Sequence, residues 1–185
     1  MIDDVLIAVW FYLPAAAANM APVFAAKLPL LAKLTAPLDG GATVNGHRVL
    51  GDNKTWRGLI AGVIVAIFVV WIQQRMVSGS DQLAQVFSGL GYATLPVVLT
   101  GILFGVGALG GDALESLIKR ARGIAPGTPW IPYDQIDHII GACLLVSLVI
   151  TLSLAQYIWL GVIWCGLHFV ANYVGWRLGL KDDPL

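Results

Sequence analysis

Residues 59–72 read LIAGVIVAIFVVWI, an unbroken apolar run, and Arg57 and Arg75 stand on either side of it. A transmembrane helix needs about 20 mostly apolar residues, because its backbone has to cross about 30 Å of hydrocarbon. The run and its flanks meet that length. This stretch therefore predicts a helix that spans a membrane.

The composition of the whole chain agrees with this interpretation. Of the 185 residues, 58% are hydrophobic and 12% are charged, and the mean hydropathy is +0.79. A soluble domain usually has about 25% charged residues, so these figures exclude a soluble globule. The formal net charge is zero, which gives no indication of nucleic-acid binding. We expect an all-α, multi-pass protein of the cell membrane, with residues 1–185 forming a single domain.

Charge-free stretches predict five transmembrane helices. Besides the run above, Asp, Glu, Lys and Arg are absent from residues 5–26, 82–111 and 138–176. The last stretch has 39 residues and is long enough for two helices. The turn between these two is expected at Gln156, Tyr157 and Trp159.

Local residues predict where two of the helices bend or begin. Pro14 and Pro22 lie in the first stretch and predict a bent or broken helix, because proline cannot donate the backbone hydrogen bond of a helix interior. The helix in residues 82–111 is expected to begin near Tyr92, after Ser88 and two glycines.

Basic residues predict the orientation, because cytoplasmic loops carry an excess of Lys and Arg. With the N-terminus outside, Arg75 alone lies on the outer side, nine basic residues lie on the inner side, and Lys27 at the end of the first helix is not counted. The nine are Lys33, Arg48, Lys54, Arg57, Lys119, Arg120, Arg122, Arg177 and Lys181. We expect the C-terminus in the cytoplasm and the functional site on cytoplasmic loops near residues 34–57 and 117–134.

Two polar features precede the second helix. Asn19 lies within an apolar stretch, in the sequence ANMAP at residues 18–22, and an amide in hydrocarbon needs a partner. It either contacts a substrate or makes a hydrogen bond between helices. Residues 50–58 read LGDNKTWRG, in which Lys54 and Arg57 flank a helix start. Helix N-termini and cations both favour phosphate, although a membrane anchor with a helix cap is the alternative.

A third polar feature is the sequence GDALESLIKR at residues 111–120. Its polar members lie on one stripe of a helix that leaves the membrane. They are Asp112, Ser116, Lys119 and Arg120. Residues 129–137 read PWIPYDQID, and Asp134 and Asp137 are one helical turn apart at the start of the fourth span. Four turn residues predict a constrained hairpin that returns this helix beside the third: Pro126, Gly127, Pro129 and Pro132.

Three carboxylates and two cations are thereby expected at one interface. Hard cations such as Mg²⁺ bind carboxylate oxygens together with substrate phosphates. The alternative is a structural clasp that pairs Asp112 with Lys119 and Asp134 with Arg120. Three acids exceed what two salt bridges require, which favours the metal site. Beside these residues, Glu115 and His138 are candidates to support the acids.

These motifs resemble those of the CDP-archaeol synthase family, CTP:2,3-di-O-geranylgeranyl-sn-glycerol-1-phosphate cytidylyltransferases, and more distantly those of phosphatidate cytidylyltransferases. The matching segments are residues 18–22, 50–58, 111–120 and 129–137. The wider superfamily carries Asp-Arg-x-Asp where this chain has Asp134, Gln135, Ile136 and Asp137. The resemblance extends over essentially the whole chain in the order of spans and loops.

The resemblance implies transfer of a cytidylyl group from CTP to a lipid glycerol phosphate in the bilayer, with Mg²⁺ as cofactor and pyrophosphate as the second product. It implies a metal bound by Asp112, Asp134 and Asp137, which with Lys119 form the catalytic set. It implies substrate binding by Asn19, Asn53, Lys54, Thr55, Arg57, Ser116 and Arg120. No obligate protein partner is expected.

The sequence leaves two other functions open. A phosphatidate cytidylyltransferase would make CDP-diacylglycerol, and apolar helix surfaces suit acyl chains as well as isoprenoid ethers. A small membrane transporter would place charges at mid-membrane. Here the centres of the spans are apolar apart from Asn19 and His168.

Overall fold

The computed structural model describes residues 1–31, 34–44, 46–125, 128–177 and 179. The regular secondary structure of these residues is helical apart from one short ribbon. The ribbon pairs β1 (Thr43–Val44) with β2 (His47–Arg48) in the loop after the first helix. Four residues used in the sequence argument lie outside the described residues: Lys33, Pro126, Gly127 and Lys181. The α-helices are α1 (Ile2–Ala25), α2 (Trp56–Ser78), α3 (Asp81–Val86), α4 (Val97–Ala121), α5 (Tyr133–Val146) and α6 (Leu154–Arg177).

Among the described residues, four helices are long and apolar enough to cross a membrane, namely α1, α2, α4 and α6. This confirms a polytopic membrane protein. Helix α5 has 14 residues and is about 21 Å long at about 1.5 Å per residue, which is shorter than the hydrocarbon core. The predicted fifth span is therefore not a single long helix.

The first helix was expected to be bent or broken at its prolines, and α1 is one continuous helix, so the broken alternative is wrong. Pro22 leaves the carbonyl of Ala18 without its usual donor from the next turn. Gly62 of α2 packs closely over this carbonyl, since a Cβ at that position would lie 2.9 Å from the oxygen. Helix α2 is therefore in close contact with α1 at the turn where this hydrogen bond is missing.

Two helix boundaries also differ from expectation. Helix α4 begins at Val97 rather than near Tyr92, directly after Pro96. The chain turns at residues 147–153, so the expected turn around Gln156 lies inside α6. A reciprocal cap explains this second difference: Ser153 N donates to Gln156 Oε1 at 2.9 Å, and Gln156 N donates to Ser153 Oγ at 3.3 Å.

Successive long helices pack antiparallel through glycines. A Cβ at Gly105 of α4 would lie 2.7 Å from the backbone of Val63 in α2. On the other side of α4, a Cβ at Gly111 would overlap the carbonyl oxygen of Asp137 in α5. The backbones of α4 and α5 are therefore in direct contact at Gly111 and Asp137, where the C-terminal part of α4 meets the N-terminal part of α5. The polar ends of the two helices consequently form one surface.

Candidate functional site

The loop after α1 is folded onto the start of α2 by backbone hydrogen bonds. Leu38 N donates to Lys54 O at 2.9 Å, and Trp56 N donates to Ala36 O at 3.0 Å. Thr55 then caps α2, since its Oγ1 accepts from Gly58 N at 3.3 Å. The conformation of the loop therefore fixes the position of Lys54.

Asp39 organises the middle of this loop and was not anticipated from the sequence. Its carboxylate accepts from Gly41 N, Leu50 N and the Arg48 guanidinium at 3.0–3.1 Å. Burial alone would raise the pKa of Asp39, but the two backbone N–H groups and Arg48 together hold it below its usual range. Asp39 is therefore ionised at neutral pH. The Asp-Gly-Gly sequence at residues 39–41 is the signal of this turn.

Lys54 joins this loop to the end of α4. Its Nζ lies 2.5 Å from Asp112 Oδ2, and the two side chains are 19% and 30% exposed. The clasp considered as the alternative paired Asp112 with Lys119, but Lys54 is the cation beside Asp112.

A cavity of about 370 Å³ lies between α1, the loop and α4. Its polar lining contains Asp112 and five other predicted site residues. The cavity therefore brings together the motifs at residues 18–22 and 50–58 and the first acid of the motif at residues 111–120. The five are Asn19, Asn53, Lys54, Thr55 and Arg57.

Three carboxylates form a cluster beside this cavity. Asp112, Glu115 and Asp137 can each offer one oxygen such that all three oxygens lie within 4.8 Å of one another. The predicted set had Asp134 in place of Glu115. Because α4 and α5 run antiparallel, Asp137 lies beside Asp112 and Glu115, whereas Asp134, one turn earlier on α5, contacts Glu115 and Lys119.

Asp134 forms an ion pair with Lys119 of α4. Lys119 Nζ lies 2.9 Å from Asp134 Oδ1 and 3.3 Å from Glu115 Oε1. The second oxygen of Asp134 accepts from Trp130 N at 2.8 Å, which ties the hairpin to α4. The second pair of the alternative clasp, Asp134 with Arg120, is likewise not formed, because Lys119 is the cation beside Asp134.

Arg120 is buried, and two of its guanidinium nitrogens lack a hydrogen-bond partner among the described residues. It is 6% exposed, and among the described residues its Nε and Nη1 have no hydrogen-bond partner. The Nε of Arg57 has none in the same part of the chain. Leaving a charged donor unpaired costs free energy, so such groups favour an anionic ligand. Ser116 is half-buried on the same stripe of α4, one turn before Arg120.

Comparisons with known proteins agree on one family. The model of the family described as "CarS-like: CDP-archaeol synthase" matches residues 1–185. A CDP-archaeol synthase of Methanosphaerula palustris is 37% identical over 155 residues, which cover 80% of this chain and 89% of the relative. One of Thermococcus kodakarensis is 35% identical over 185 residues, which cover 99% and 98%. A solved structure described as "Structural insight into an intramembrane enzyme for archaeal membrane lipids biosynthesis" aligns with a TM-score of 0.70 at 28% identity, over 91% of this chain and 94% of that one.

Proposed function

This chain belongs to the CDP-archaeol synthase family, and we propose that it forms CDP-archaeol from CTP and 2,3-di-O-geranylgeranyl-glycerol 1-phosphate. An oxygen of the lipid phosphate bonds to the α-phosphorus of CTP, and the bond from that phosphorus to pyrophosphate breaks. A phosphate monoester is largely dianionic near pH 7, because its second pKa is about 6. The enzyme therefore needs alignment and charge neutralisation rather than a strong base.

One observation carries this proposal. Two lysines from different parts of the chain converge on the same acid cluster, Lys54 at Asp112 and Lys119 at Glu115, with Arg57 and Arg120 nearby. Two anionic substrates repel one another, and cations placed on both sides of the acid cluster can neutralise the phosphates of each. Placement at the end of a membrane bundle suits the joining of a water-soluble nucleotide to a lipid.

The acid cluster fits a divalent metal. We propose that Asp112, Glu115 and Asp137 hold Mg²⁺, since three carboxylate oxygens within 4.8 Å of one another are the hard donors that this ion prefers. When bound, the ion supplies positive charge that neutralises phosphate oxygens during transfer. Asp134 keeps Lys119 in position rather than binding the metal.

The two anionic substrates are assigned to the two sides of the cluster. The cavity takes CTP, with Lys54 and Arg57 at the triphosphate. Hydrogen bonds to the base, ribose or phosphates come from Asn19, Asn53 and Thr55. Lys119, Arg120 and Ser116, on the α5 side, take the lipid phosphate.

A five-span topology with the N-terminus outside is also part of the proposal. Trp164 Nε1 donates to Ala8 O at 3.2 Å, and the ring of Tyr12 lies 5.0 Å from that of Trp164 and 6.0 Å from that of His138. The ring of His168 lies 5.4 Å from that of His138. These contacts support α6 running parallel to α1 and antiparallel to α5. Helix α5 and residues 147–153 would together complete the crossing between them.

The decisive experiment supplies purified protein with labelled CTP, Mg²⁺ and a panel of lipid phosphates. We expect a labelled CDP-lipid and pyrophosphate, with the geranylgeranyl ether phosphate preferred over phosphatidate. A preference for phosphatidate would support the acyl-lipid enzyme instead. The absence of any CDP-lipid across the panel, with protein that remains folded, would contradict the proposed function.

A further inference from the structure

His138 lies directly behind the acid cluster, on the turn of α5 that carries Asp137. It is 6% exposed. Rings from two other helices enclose it, with His168 of α6 at 5.4 Å and Tyr12 of α1 at 6.0 Å between centroids. His138 is therefore largely covered by α1 and α6, and its hydrogen bonds towards the acid cluster are made with Asp137.

Both donors of His138 that face Asp137 bind the same oxygen. Its backbone N lies 2.5 Å from Asp137 Oδ1, and its ring Nδ1 lies 2.9 Å from that oxygen. In the proposed metal site Asp137 is an ionised carboxylate, which can only accept, and the hydrogen of this ring contact is therefore assigned to Nδ1. With Oδ1 occupied twice, Oδ2 is the oxygen of Asp137 that is left for a cation.

We infer that His138 is a positioning residue whose Nδ1–H fixes the carboxylate of Asp137, so that Oδ2 is presented to Asp112 and Glu115. This inference rests on the proposed metal site. An aspartate side chain has two rotatable bonds, and the carboxylate can turn about the second of them. Hydrogen bonds from neighbouring groups commonly hold metal-binding carboxylates in place, and their loss costs about 10- to 100-fold in metal affinity.

Two amide substitutions separate this role from a merely structural one. In His138→Asn the amide nitrogen branches from Cγ, as Nδ1 does in histidine, so it can still donate to Asp137. In His138→Gln the amide lies one bond further out and misses that position. His138→Leu fills the buried space without a donor. All three are compared by thermal unfolding, which reports any general damage to the bundle.

The primary measurement is the affinity of the detergent-purified full chain for Mn²⁺ without nucleotide, by electron paramagnetic resonance. We expect His138→Asn to bind within about threefold of wild type, and His138→Gln and His138→Leu to bind about 10- to 100-fold more weakly. The Mg²⁺ concentration for half-maximal CDP-lipid synthesis should rise in parallel. The KM for CTP at saturating Mg²⁺ should stay constant.

Asp137→Asn and Asp112→Asn provide the reference. If both weaken Mn²⁺ binding while His138→Gln and His138→Leu bind as wild type does, the positioning role is overturned and the metal site stands. Equal weakening by His138→Asn and His138→Gln would also overturn the role, because the position of the donor would then not matter. Unchanged Mn²⁺ affinity in both aspartate variants would overturn the metal site and this inference with it.

Discussion

Lys54 is the residue through which the loop after α1 reaches the acidic end of α4. It lines the proposed nucleotide cavity, and its ammonium lies 2.5 Å from Asp112. We expect Lys54→Ala to raise the KM for CTP about 10- to 100-fold, because a hydrogen bond to a charged group contributes about 1.5–3 kcal/mol. The measurement is the CTP dependence of CDP-lipid formation at saturating lipid.

Lys27→Ala is the matched control, because Lys27 is exposed at the same end of the bundle and is absent from the lining of the cavity. It should leave the CTP dependence unchanged. The unfolding temperature of both variants should stay near that of wild type. A Lys54→Ala enzyme with wild-type CTP dependence would return the loop to the role of a membrane anchor.

Variants of Glu115 and Asp134 test which acids hold the metal. The proposed set contains Glu115, whereas the set expected from the sequence contained Asp134. Glu115→Gln removes a metal-ligand charge, so we expect a rate lower by about 10²–10³, a loss of about 3–4 kcal/mol of electrostatic stabilisation. Asp134→Asn frees Lys119 instead, and its half-maximal Mg²⁺ concentration should remain that of wild type. The measurement is Mg²⁺-dependent synthesis by each variant. A strong shift in Asp134→Asn with none in Glu115→Gln would restore the set that was expected from the sequence.

The acids show what sequence periodicity can and cannot give. Spacing alone places Asp112 and Lys119 on one stripe of a helix, and Asp134 and Asp137 on one face of the next. It does not give the axial offset between the two helices. The close contact of Gly111 with the backbone of α5 goes with the observed offset, in which Asp137 is the acid of α5 that clusters with both Asp112 and Glu115.

At the level of elements, the packing of α4 on α5 depends on glycines that have no room for a side chain. A Cβ at Gly111 would overlap Asp137 O. We expect Gly111→Ala to push α5 away, lower the free energy of unfolding by about 1–3 kcal/mol and weaken Mn²⁺ binding. Gly110→Ala is the control on the same helix, because a Cβ there meets nothing within 4 Å. Equal effects of the two substitutions would contradict this account of the helix pair.

The loop after α1 depends on the ionised carboxylate of Asp39. Its pKa is lowered in the folded protein, so its stabilising contribution is complete above its usual pKa and is lost only as the pH falls through the lowered value. Between about pH 6 and 8 the titration of Asp39 should therefore add no step to the activity profile.

A substitution of Asp39 tests its role in the loop. We expect Asp39→Asn to weaken the contact with Arg48 and raise the KM for CTP several-fold. The control is Asp3→Asn, at the opposite end of α1. A wild-type KM in Asp39→Asn would show that the loop keeps Lys54 in place without this charge.

Helix boundaries were predictable where a local signal exists. Arg57 and Arg75 bracket the apolar run that became α2, and this boundary was close. The start of α6 also has a local signal, the reciprocal pair Ser153 and Gln156, although the aromatic residues near it favoured a turn. Continuity of α1 through Pro22 has no such signal in the sequence, and Gly62 of another helix packs against the turn that Pro22 leaves without a hydrogen bond.

For the whole molecule, the basic residues and the site lie at the same end of the bundle. Arg48, Lys54 and Arg57 precede or begin α2, and Lys119, Arg120 and Arg122 end α4. Arg75 lies near the opposite end of α2. The charge-free stretches predict five spans, whereas four helices among the described residues are long enough to span a membrane. The short length of α5 depends on where the chain turns at residues 147–153.

Cysteine accessibility in intact cells tests both the orientation and the fifth crossing. In a background without Cys143 and Cys165, a cysteine is placed at Thr128, Gly89 or Thr151, all of which are exposed. A cytoplasmic hairpin predicts that Thr128→Cys resists a membrane-impermeant thiol reagent and reacts after permeabilisation. Gly89 is expected on the outer side, so Gly89→Cys should be labelled rapidly. Thr151→Cys should also be labelled if α5 and residues 147–153 complete a crossing.

Two outcomes would contradict this topology. Labelling of Thr128→Cys in intact cells would overturn the orientation. Protection of Thr151→Cys beside a reactive Gly89→Cys would instead remove the fifth span, because the start of α6 would then lie on the cytoplasmic side.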